Sequence, residues 1–109
     1  MYFETEGYYS FYVYIITNSY RSTLYIGVTD NLPRRLQQHK ENIENGNKTF
    51  ASKFNIQYLV YYEKFTWIQN AIMREKQLKK WNRDKKFELI KRFNPDLNFL
   101  NDSFQSYGG

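Results

Sequence analysis

Glu75 is a carboxylate at a position where a helix would present apolar side chains. It follows Ala71 by four residues and precedes Leu78 by three, so a helix places all three on one face. A carboxylate on an apolar face costs free energy unless it meets a cation. That cation is either a neighbouring Lys or Arg in an ion pair, or a hard metal ion. One carboxylate can hold Mg²⁺ while water and phosphate oxygens supply the other ligands.

Arg35 and His39 are a second pair of residues with chemical potential. They are four residues apart, which stacks them on one helix face beside an apolar stripe formed by Leu32, Leu36 and Ile43. Both side chains are therefore expected to point toward the interior of the fold. An arginine there can stabilise the charge of a phosphoryl group in its transition state. A single histidine beside such a stripe is more often a structural hydrogen-bonding residue than a catalyst.

Two tyrosines and a glycine fall on facing strands of a predicted hairpin. Residues 11–18 and 24–29 are rich in β-branched and aromatic side chains and are joined by a short polar stretch. This pairing places Tyr14 opposite Gly27, and it places Tyr25 on the same strand as that glycine. Glycine within a strand often indicates that another group approaches its backbone closely. Two hypotheses follow, a phenol at an active surface or an aromatic side chain of an edge strand.

A small α+β framework must bring these residues together. The pattern of apolar, capping and turn residues predicts the order β-β-α-β-α-α in one domain of residues 1–109, with a core of about 11–95 and a tail of 96–109. We expect a loop over 47–55 and a tail that is loose at its end. Predicted strands span 11–18, 24–29 and 56–65, and predicted helices span 33–45, 67–81 and 82–93.

Composition favours a folded domain and excludes several kinds of site. Leu, Ile, Val and Phe make up 28 of the 109 residues, and 11 Tyr, 9 Phe and 2 Trp add so many rings that some tyrosines should lie at a surface or cleft. The absence of cysteine excludes disulfides and a thiol nucleophile, and the single histidine excludes a zinc site built on histidines. The absence of a membrane-length apolar run or a signal peptide predicts a cytoplasmic location without membrane association.

The positive charge is concentrated in one block. The chain has a net charge of +5, and residues 72–93 alone carry nine Lys or Arg against three acidic residues. Such a block is typical of a surface that binds a polyanion. The alternative is a solvated helical face.

The order of these motifs resembles the GIY-YIG nuclease superfamily. Its first signature corresponds to residues 12–14, Tyr-Val-Tyr, and its second to residues 25–27, Tyr-Ile-Gly. Residues 25–39 are similar to the second strand, loop and first helix of the family. Residues 74–81 resemble the segment that holds its metal-binding glutamate.

Two further segments look like the small, single-domain bacterial branch, which is related to the nuclease domain of the excision-repair endonuclease. They are the loop 48–54 and the strand 59–63. The resemblance implies a three-stranded antiparallel sheet flanked by three helices, the GIY-YIG fold. The sequence departs from the family at Tyr12, where the first signature has glycine, and at Val28, where repair-type members carry a lysine that contacts phosphate.

The resemblance also implies roles for individual residues. Tyr14 would activate or orient the attacking water, and Tyr25 would hold water or phosphate. Arg35 would neutralise charge that develops in the transition state, and His39 would act as a helper base or position Tyr14. Glu75 would bind one divalent ion, Mg²⁺ or Mn²⁺. The residues expected to contact nucleic acid are Gly27, Lys48, Lys53, Arg74, Lys79 and Asn94.

The sequence thus predicts a Mg²⁺-dependent endonuclease that hydrolyses phosphodiester bonds, with DNA as the expected partner and structured or repair-type DNA as the expected substrate. The alternative is a catalytically weak or inactive nucleic-acid-binding module with the same fold, because a basic block neutralises phosphates whether or not cleavage follows. A protein-interaction domain that uses exposed rings has less support. Since 109 residues leave no room for a separate DNA-binding domain, we expect low sequence specificity or a protein partner that supplies it.

Overall fold

A three-stranded antiparallel sheet is the centre of the fold in the computed structural model, which describes residues 10–105. The strands are β1 (Phe11–Thr17), β2 (Leu24–Thr29) and β3 (Tyr58–Phe65), in the order β2-β1-β3. Strand β1 lies in the middle because its run of β-branched and aromatic residues can bury both faces. The α+β class and the order of the main elements are as predicted.

Within residues 10–105, five helices accompany the sheet. They are α1 (Leu32–Glu44), α2 (Phe50–Lys53), α3 (Ile68–Lys80), α4 (Arg83–Phe93) and α5 (Asp102–Gln105). The three long helices match the three predicted ones. Asn31 begins α1 by accepting a hydrogen bond from the backbone N–H of Arg34, and Pro33 lies in the first turn, where its missing N–H does no harm. None of the helices within residues 10–105 is long and apolar enough to cross a membrane.

The helix α2 corrects the prediction of a loop over residues 47–55. The hydroxyl oxygen of Thr49 accepts a hydrogen bond from the backbone N–H of Ser52 and caps this single turn. Ala51 anchors the turn because its side chain is buried against the sheet. The polar composition of the segment favoured a loop because the helix depends on only two features, the N-cap Thr49 and the buried methyl group of Ala51.

Residues beyond Pro95 also form part of the described fold, so the expected boundary of the core at residue 95 is too early. The backbone N–H of Leu100 donates to the carbonyl of Leu59 over 2.7 Å. The Asn101 side chain accepts from the N–H of Leu59 and donates to the carbonyl of Gln57. These bonds attach residues 100–101 to the outer edge of β3. The last residues of the predicted tail, 106–109, lie outside the described residues.

The two faces of the sheet are covered by different helices, and this separation positions the site. In β1, Val13 and Ile15 face α3 and α4, whereas Tyr14 and Ile16 face α1 and α2. The α1 side of the sheet is completed by five further buried side chains, Leu32, Leu36, Ala51, Ile56 and Leu59. Tyr14 is thus a central-strand residue that faces the helix carrying Arg35 and His39.

Candidate active site

The phenol of Tyr14 is the centre of a buried polar cluster. Its side chain is 0% exposed, and its oxygen accepts a hydrogen bond from Arg35 Nε over 3.2 Å. The same oxygen lies 2.9 Å from Nε2 of His39. Arg35 and His39 reach it together because they lie one turn apart on α1, whose neighbouring residues Leu32 and Leu36 pack the helix onto the sheet.

Gly27 leaves the space that the Tyr14 ring occupies. The two residues are paired across β1 and β2, as the hairpin predicted. A Cβ atom added to Gly27 would lie 2.5 Å from the Tyr14 oxygen and 2.6 Å from Cζ, distances that real Cβ contacts do not reach. The close approach indicated by a glycine within a strand is therefore that of the Tyr14 phenol itself.

The hydrogen bonds assign the proton of the Tyr14 phenol to His39. A guanidinium group can only donate, so the phenol oxygen accepts from Arg35 and has its own proton left to donate. The acceptor is Nε2 of His39, and we therefore assign the imidazole as neutral with its proton on Nδ1.

Burial and the Arg35 charge explain the ionisation of this cluster. Burial raises the pKa of Tyr14 to about 12, although the hydrogen bond from Arg35 acts in the opposite direction. Burial lowers the pKa of His39 to about 4, and the positive charge of Arg35 lowers it further. The hydrogen bond to Tyr14 raises the pKa of Arg35 above its ordinary value. At neutral pH the cluster therefore holds a protonated phenol, a neutral imidazole and a guanidinium cation.

Tyr25 lies at the border between this cluster and the surface. It is half-buried, and its ring centroid lies 6.4 Å from that of Tyr14 and 5.5 Å from that of His39. On its other side the ring stacks on Phe50 with centroids 6.3 Å apart. Hydrogen bonding to Tyr25 also contributes to the raised pKa of Arg35. The structure thus brings together Tyr14, Tyr25, Arg35 and His39, all predicted from the sequence as site residues.

Glu75 lies on α3 close enough for its charge to act on the cluster. Its negative charge is one of the causes that raise the pKa of Tyr14. The Glu75 side chain is 19% exposed, and its Oε2 atom lies 3.1 Å from Nζ of Lys79, one turn later. The ion pair considered from the sequence is therefore present, and the charge of Glu75 acts on the Tyr14 phenol.

A metal ion would have to use Glu75 with few other protein ligands. Within residues 10–105, no group of three or more His, Asp or Glu side chains is arranged to hold a metal ion. A single, partly exposed carboxylate fits Mg²⁺, which keeps several waters and takes its remaining oxygens from a phosphate. It does not fit an ion that requires an all-protein cage. Binding would require Lys79 to release the carboxylate.

An open groove runs beside Arg35. It has a volume of about 440 Å³ and passes between the start of α1, the end of β2 and the first residue of α3. Its lining includes Asn31, Arg34, Arg35, Gln38 and Ile68. Gln38 accepts a hydrogen bond from Nη1 of Arg35 over 3.2 Å and so fixes the plane of the guanidinium group. Gln38 is not among the site residues predicted from the sequence, although its spacing of three residues from Arg35 could have indicated this contact.

The residues predicted to contact nucleic acid occupy different places. Lys48 and Lys53 are exposed beside α2, near Tyr25, and Lys79 pairs with Glu75. Gly27 lies against Tyr14. Their role in binding stays a prediction.

Arg74 and Asn94 are held in contacts within the protein. Arg74 forms a two-pronged ion pair with Glu63, with two N–O distances of 2.9 Å, and its guanidinium lies 5.3 Å from the ring centroid of Trp81. Asn94 is buried and donates to the carbonyl oxygens of Val60 and Asn98. For these two residues, a role in nucleic-acid binding stays a prediction, and their described contacts are structural.

The chain is similar in sequence to a known domain family and to proteins of two other organisms. Residues 10–88 match the sequence profile of the GIY-YIG catalytic domain. The chain is 39% identical over 85 residues to a UPF0213 protein of Syntrophus aciditrophicus, and the matched segment covers 78% of this chain and 93% of that relative. It is 37% identical over 78 residues to a UPF0213 protein of Haloquadratum walsbyi, with coverage of 72% and 83%.

A solved structure is similar over most of the fold. The solution NMR structure of a UPF0213 protein from Bacillus halodurans is similar with a TM-score of 0.50 and 25% sequence identity. The similarity covers 80% of this chain and 88% of that one. The segment 10–88 that matches the domain profile contains the whole Tyr14 cluster and Glu75.

Replacing Gly27 by Ala should displace the Tyr14 ring and destabilise the protein. Because the added Cβ would lie 2.5 Å from the phenol oxygen, we expect unfolding in urea to require about 1–3 kcal/mol less free energy. The control is Gly46→Asn, because Gly46 has a φ of 71°, which Asn tolerates, and nothing within 4 Å of an added Cβ. Equal stability of Gly27→Ala and wild type would contradict the packing described.

The neutral state of His39 predicts a pH dependence of stability. Its pKa of about 4 in the folded protein lies below the ordinary value of 6.5, so the unfolded chain binds the extra proton in this range. The neutral His39 therefore contributes its full share to the free energy of unfolding above about pH 6.5. This share is lost as pH falls toward 4, by at most about 1.4 kcal/mol for each pKa unit between the folded and unfolded values. Urea unfolding from pH 7.5 to 4.5 should show a steeper loss for wild type than for His39→Asn. Parallel curves would refute a buried neutral imidazole.

Proposed function

Because the chain belongs to the GIY-YIG family of nuclease domains, we propose that it is a divalent-metal-dependent endonuclease that hydrolyses phosphodiester bonds in DNA. Family membership supports a nuclease-type function in general. The observation that carries the specific proposal is the cluster of Tyr14, Arg35 and His39 beside Tyr25 and Glu75. A guanidinium, two phenols and one carboxylate are the groups needed to hold a phosphate, a water and a cation.

Arg35 supplies the positive charge for the phosphoryl group. One guanidinium nitrogen is fixed by Tyr14 and another by Gln38, and the side chain lines the groove beside α1. A cation held in this way needs little reorganisation when negative charge grows on the phosphoryl oxygens during attack by water. Its planar shape also suits two hydrogen bonds to one phosphate.

Tyr25, rather than Tyr14, is the phenol that we propose to hold the attacking water. The water must reach the phosphorus atom from the substrate side, and Tyr14 is 0% exposed whereas Tyr25 is half-buried. Tyr14 then acts as a positioning residue, since its oxygen orients Arg35 and its proton is accepted by His39. This assignment changes the role that the resemblance implied for Tyr14, for the physical reason that its oxygen is shielded from solvent.

Glu75 is the residue that would hold the divalent ion, Mg²⁺ or Mn²⁺. The ion, when bound, supplies Lewis-acid stabilisation of the phosphate oxygens and of the leaving oxygen. Lys79 balances the Glu75 charge at 3.1 Å, and its side chain is exposed, so its ammonium group would also be able to contact a phosphate of the nucleic acid.

The basic block of residues 72–93 supports a polyanionic substrate, because its nine Lys or Arg lie on α3 and α4. We propose structured or repair-type DNA, such as a flap, branch or nick, as the substrate. A protein partner would supply additional specificity.

One observation favours the alternative of a nucleic-acid-binding module without activity. Glu75 already has a cationic partner in Lys79, and a carboxylate that never releases this partner would leave the site without a metal. The basic block would still bind phosphates in that case. Cleavage assays distinguish the two functions.

Removing Arg35 or the Glu75 charge should abolish cleavage and leave the fold intact. We expect Arg35→Ala and Glu75→Gln to lower the rate by about 10²–10³, because the first removes the cation proposed to face the phosphate and the second removes the charge proposed to hold the divalent ion. The assay uses supercoiled, linear, branched and single-stranded DNA with Mg²⁺, and EDTA should stop the reaction. Lys40→Ala and Glu44→Gln are matched controls, because both residues are exposed on α1 and lie outside the basic block of residues 72–93. Cleavage by either site variant at the rate of its control would disprove the mechanism.

The division of roles between the two tyrosines predicts different responses to loss of the phenol oxygen. Tyr25→Phe should lower the cleavage rate at saturating DNA by about 10²–10⁴ and leave the NMR titration of His39 unchanged. Tyr14→Phe should lower the rate as well, and it should shift the titration of His39 because it removes the hydrogen bond to Nε2. Wild-type cleavage by Tyr25→Phe would show that its oxygen does not hold the water.

A further inference from the structure

A row of aromatic rings leads from the site to the surface along α2. Tyr25 stacks on Phe50 at an angle of 28°, and Phe50 contacts Phe54 with ring centroids 5.0 Å apart. Phe50 is 54% exposed and Phe54 is 43% exposed. Both rings thus keep about half of their surface exposed, on a four-residue helix and its C-cap residue, so burial accounts for only part of their placement. We call Tyr25, Phe50 and Phe54 the aromatic platform.

The surface around the aromatic platform is positive. Residues 45–55 include Lys48 and Lys53 and no acidic residue. Both lysines are exposed, and Nζ of Lys53 lies 5.7 Å from the ring centroid of Phe54. An open groove of about 590 Å³ passes over this segment and is lined by Lys48, Phe50 and Lys53. Exposed rings flanked by cations are the combination that binds single-stranded nucleic acid, with bases on the rings and phosphates on the lysines.

We propose that the aromatic platform binds an unpaired nucleobase next to the scissile phosphate, with Lys48 and Lys53 on the flanking phosphates. The proposal rests on the nuclease function proposed above and specifies its substrate as nucleic acid with a single-stranded segment at the cleavage site. A base in a duplex has both faces stacked on its neighbours and cannot cover a protein ring, whereas an unpaired base can.

The position of the platform explains why the base lies beside the reaction. Tyr25 belongs both to the platform and to the active-site cluster, where its ring contacts His39. A strand whose base rests on Phe50 and Phe54 therefore has a neighbouring phosphate directed toward Tyr25 and Arg35. The lysines favour this polyanion over an apolar protein segment, which would leave two exposed cations without partners.

Binding of labelled single-stranded DNA by the full chain in EDTA, followed by fluorescence anisotropy, tests the platform without cleavage. Phe54→Leu keeps an apolar side chain but removes the ring face, so it should weaken binding by about 5- to 100-fold. Phe54→Tyr keeps the ring and should retain the affinity. Phe50→Leu should behave like Phe54→Leu. Tyr20→Leu is the matched control, because Tyr20 is 87% exposed in the turn between β1 and β2, and it should leave affinity unchanged.

Further measurements on the same variants define the ligand. A blunt duplex of the same sequence should bind with an affinity that Phe54→Leu does not change. Lys53→Gln should reduce the salt dependence of single-strand binding by about 0.7 in log–log slope. A single-stranded RNA of the same sequence shows whether the platform distinguishes the sugar, and equal loss of affinity for both strands by Phe54→Leu is the expected result.

Wild-type affinity of Phe54→Leu and Phe50→Leu for single strands would overturn the proposal, as would equal weakening by Tyr20→Leu. These outcomes are independent of the nuclease proposal, which the Arg35 and Glu75 variants test by cleavage. Platform variants that bind normally while wild type cleaves DNA would refute only the platform. Ring-dependent binding by a protein that cleaves nothing would refute only the nuclease function.

Discussion

The phenol oxygen of Tyr14 is a polar atom at the centre of a buried sheet face, and the arrangement of the site follows from satisfying it. A buried hydroxyl without partners costs about 1–3 kcal/mol, and Tyr14 avoids this cost through Arg35 and His39. Both partners must come from one face of α1, which fixes the rotation of that helix on the sheet. The ring must also pass over the backbone of β2, which requires Gly27 opposite it. Strand pairing, helix orientation and one glycine are thus linked through a single oxygen atom.

Because the Tyr14 oxygen is shielded from solvent, the residue that positions its neighbours is distinct from the residues proposed to contact the substrate. Tyr14 is buried and orients Arg35, and burial together with the Arg35 charge keeps His39 neutral by lowering its pKa. The groups that face the groove and the surface remain available to a substrate. Tyr25 contacts the buried cluster on one side and Phe50 on the other. It therefore connects the proposed reaction centre with the aromatic platform. In this account the substrate is held by a guanidinium, a carboxylate-bound cation and exposed rings, all attached to elements that the Tyr14 cluster fixes.

Local patterns in the sequence predicted much of the site, because its geometry depends on short-range periodicity. The spacing of four between Arg35 and His39 and the alternation along β1 placed three side chains on facing surfaces before any tertiary contact was known. Contacts between residues that are far apart in the sequence could not be predicted from this periodicity. The ion pair between Arg74 and Glu63 joins α3 to β3, and no local pattern distinguishes such an arginine from one that awaits a phosphate. The hydrogen bonds of Asn101 to β3 are likewise determined by the path of the chain after α4, which sequence periodicity does not encode.

In the proposed function, Tyr25, Arg35 and Glu75 together surround one phosphate and a divalent ion. The most direct test is paramagnetic broadening of the NMR spectrum by Mn²⁺ in the presence of a short DNA with a non-hydrolysable linkage. We predict that broadening at substoichiometric Mn²⁺ is strongest for the amides around these three residues, and that Glu75→Gln abolishes it. Broadening centred on the acidic residues of α4, or broadening that Glu75→Gln leaves unchanged, would contradict the account.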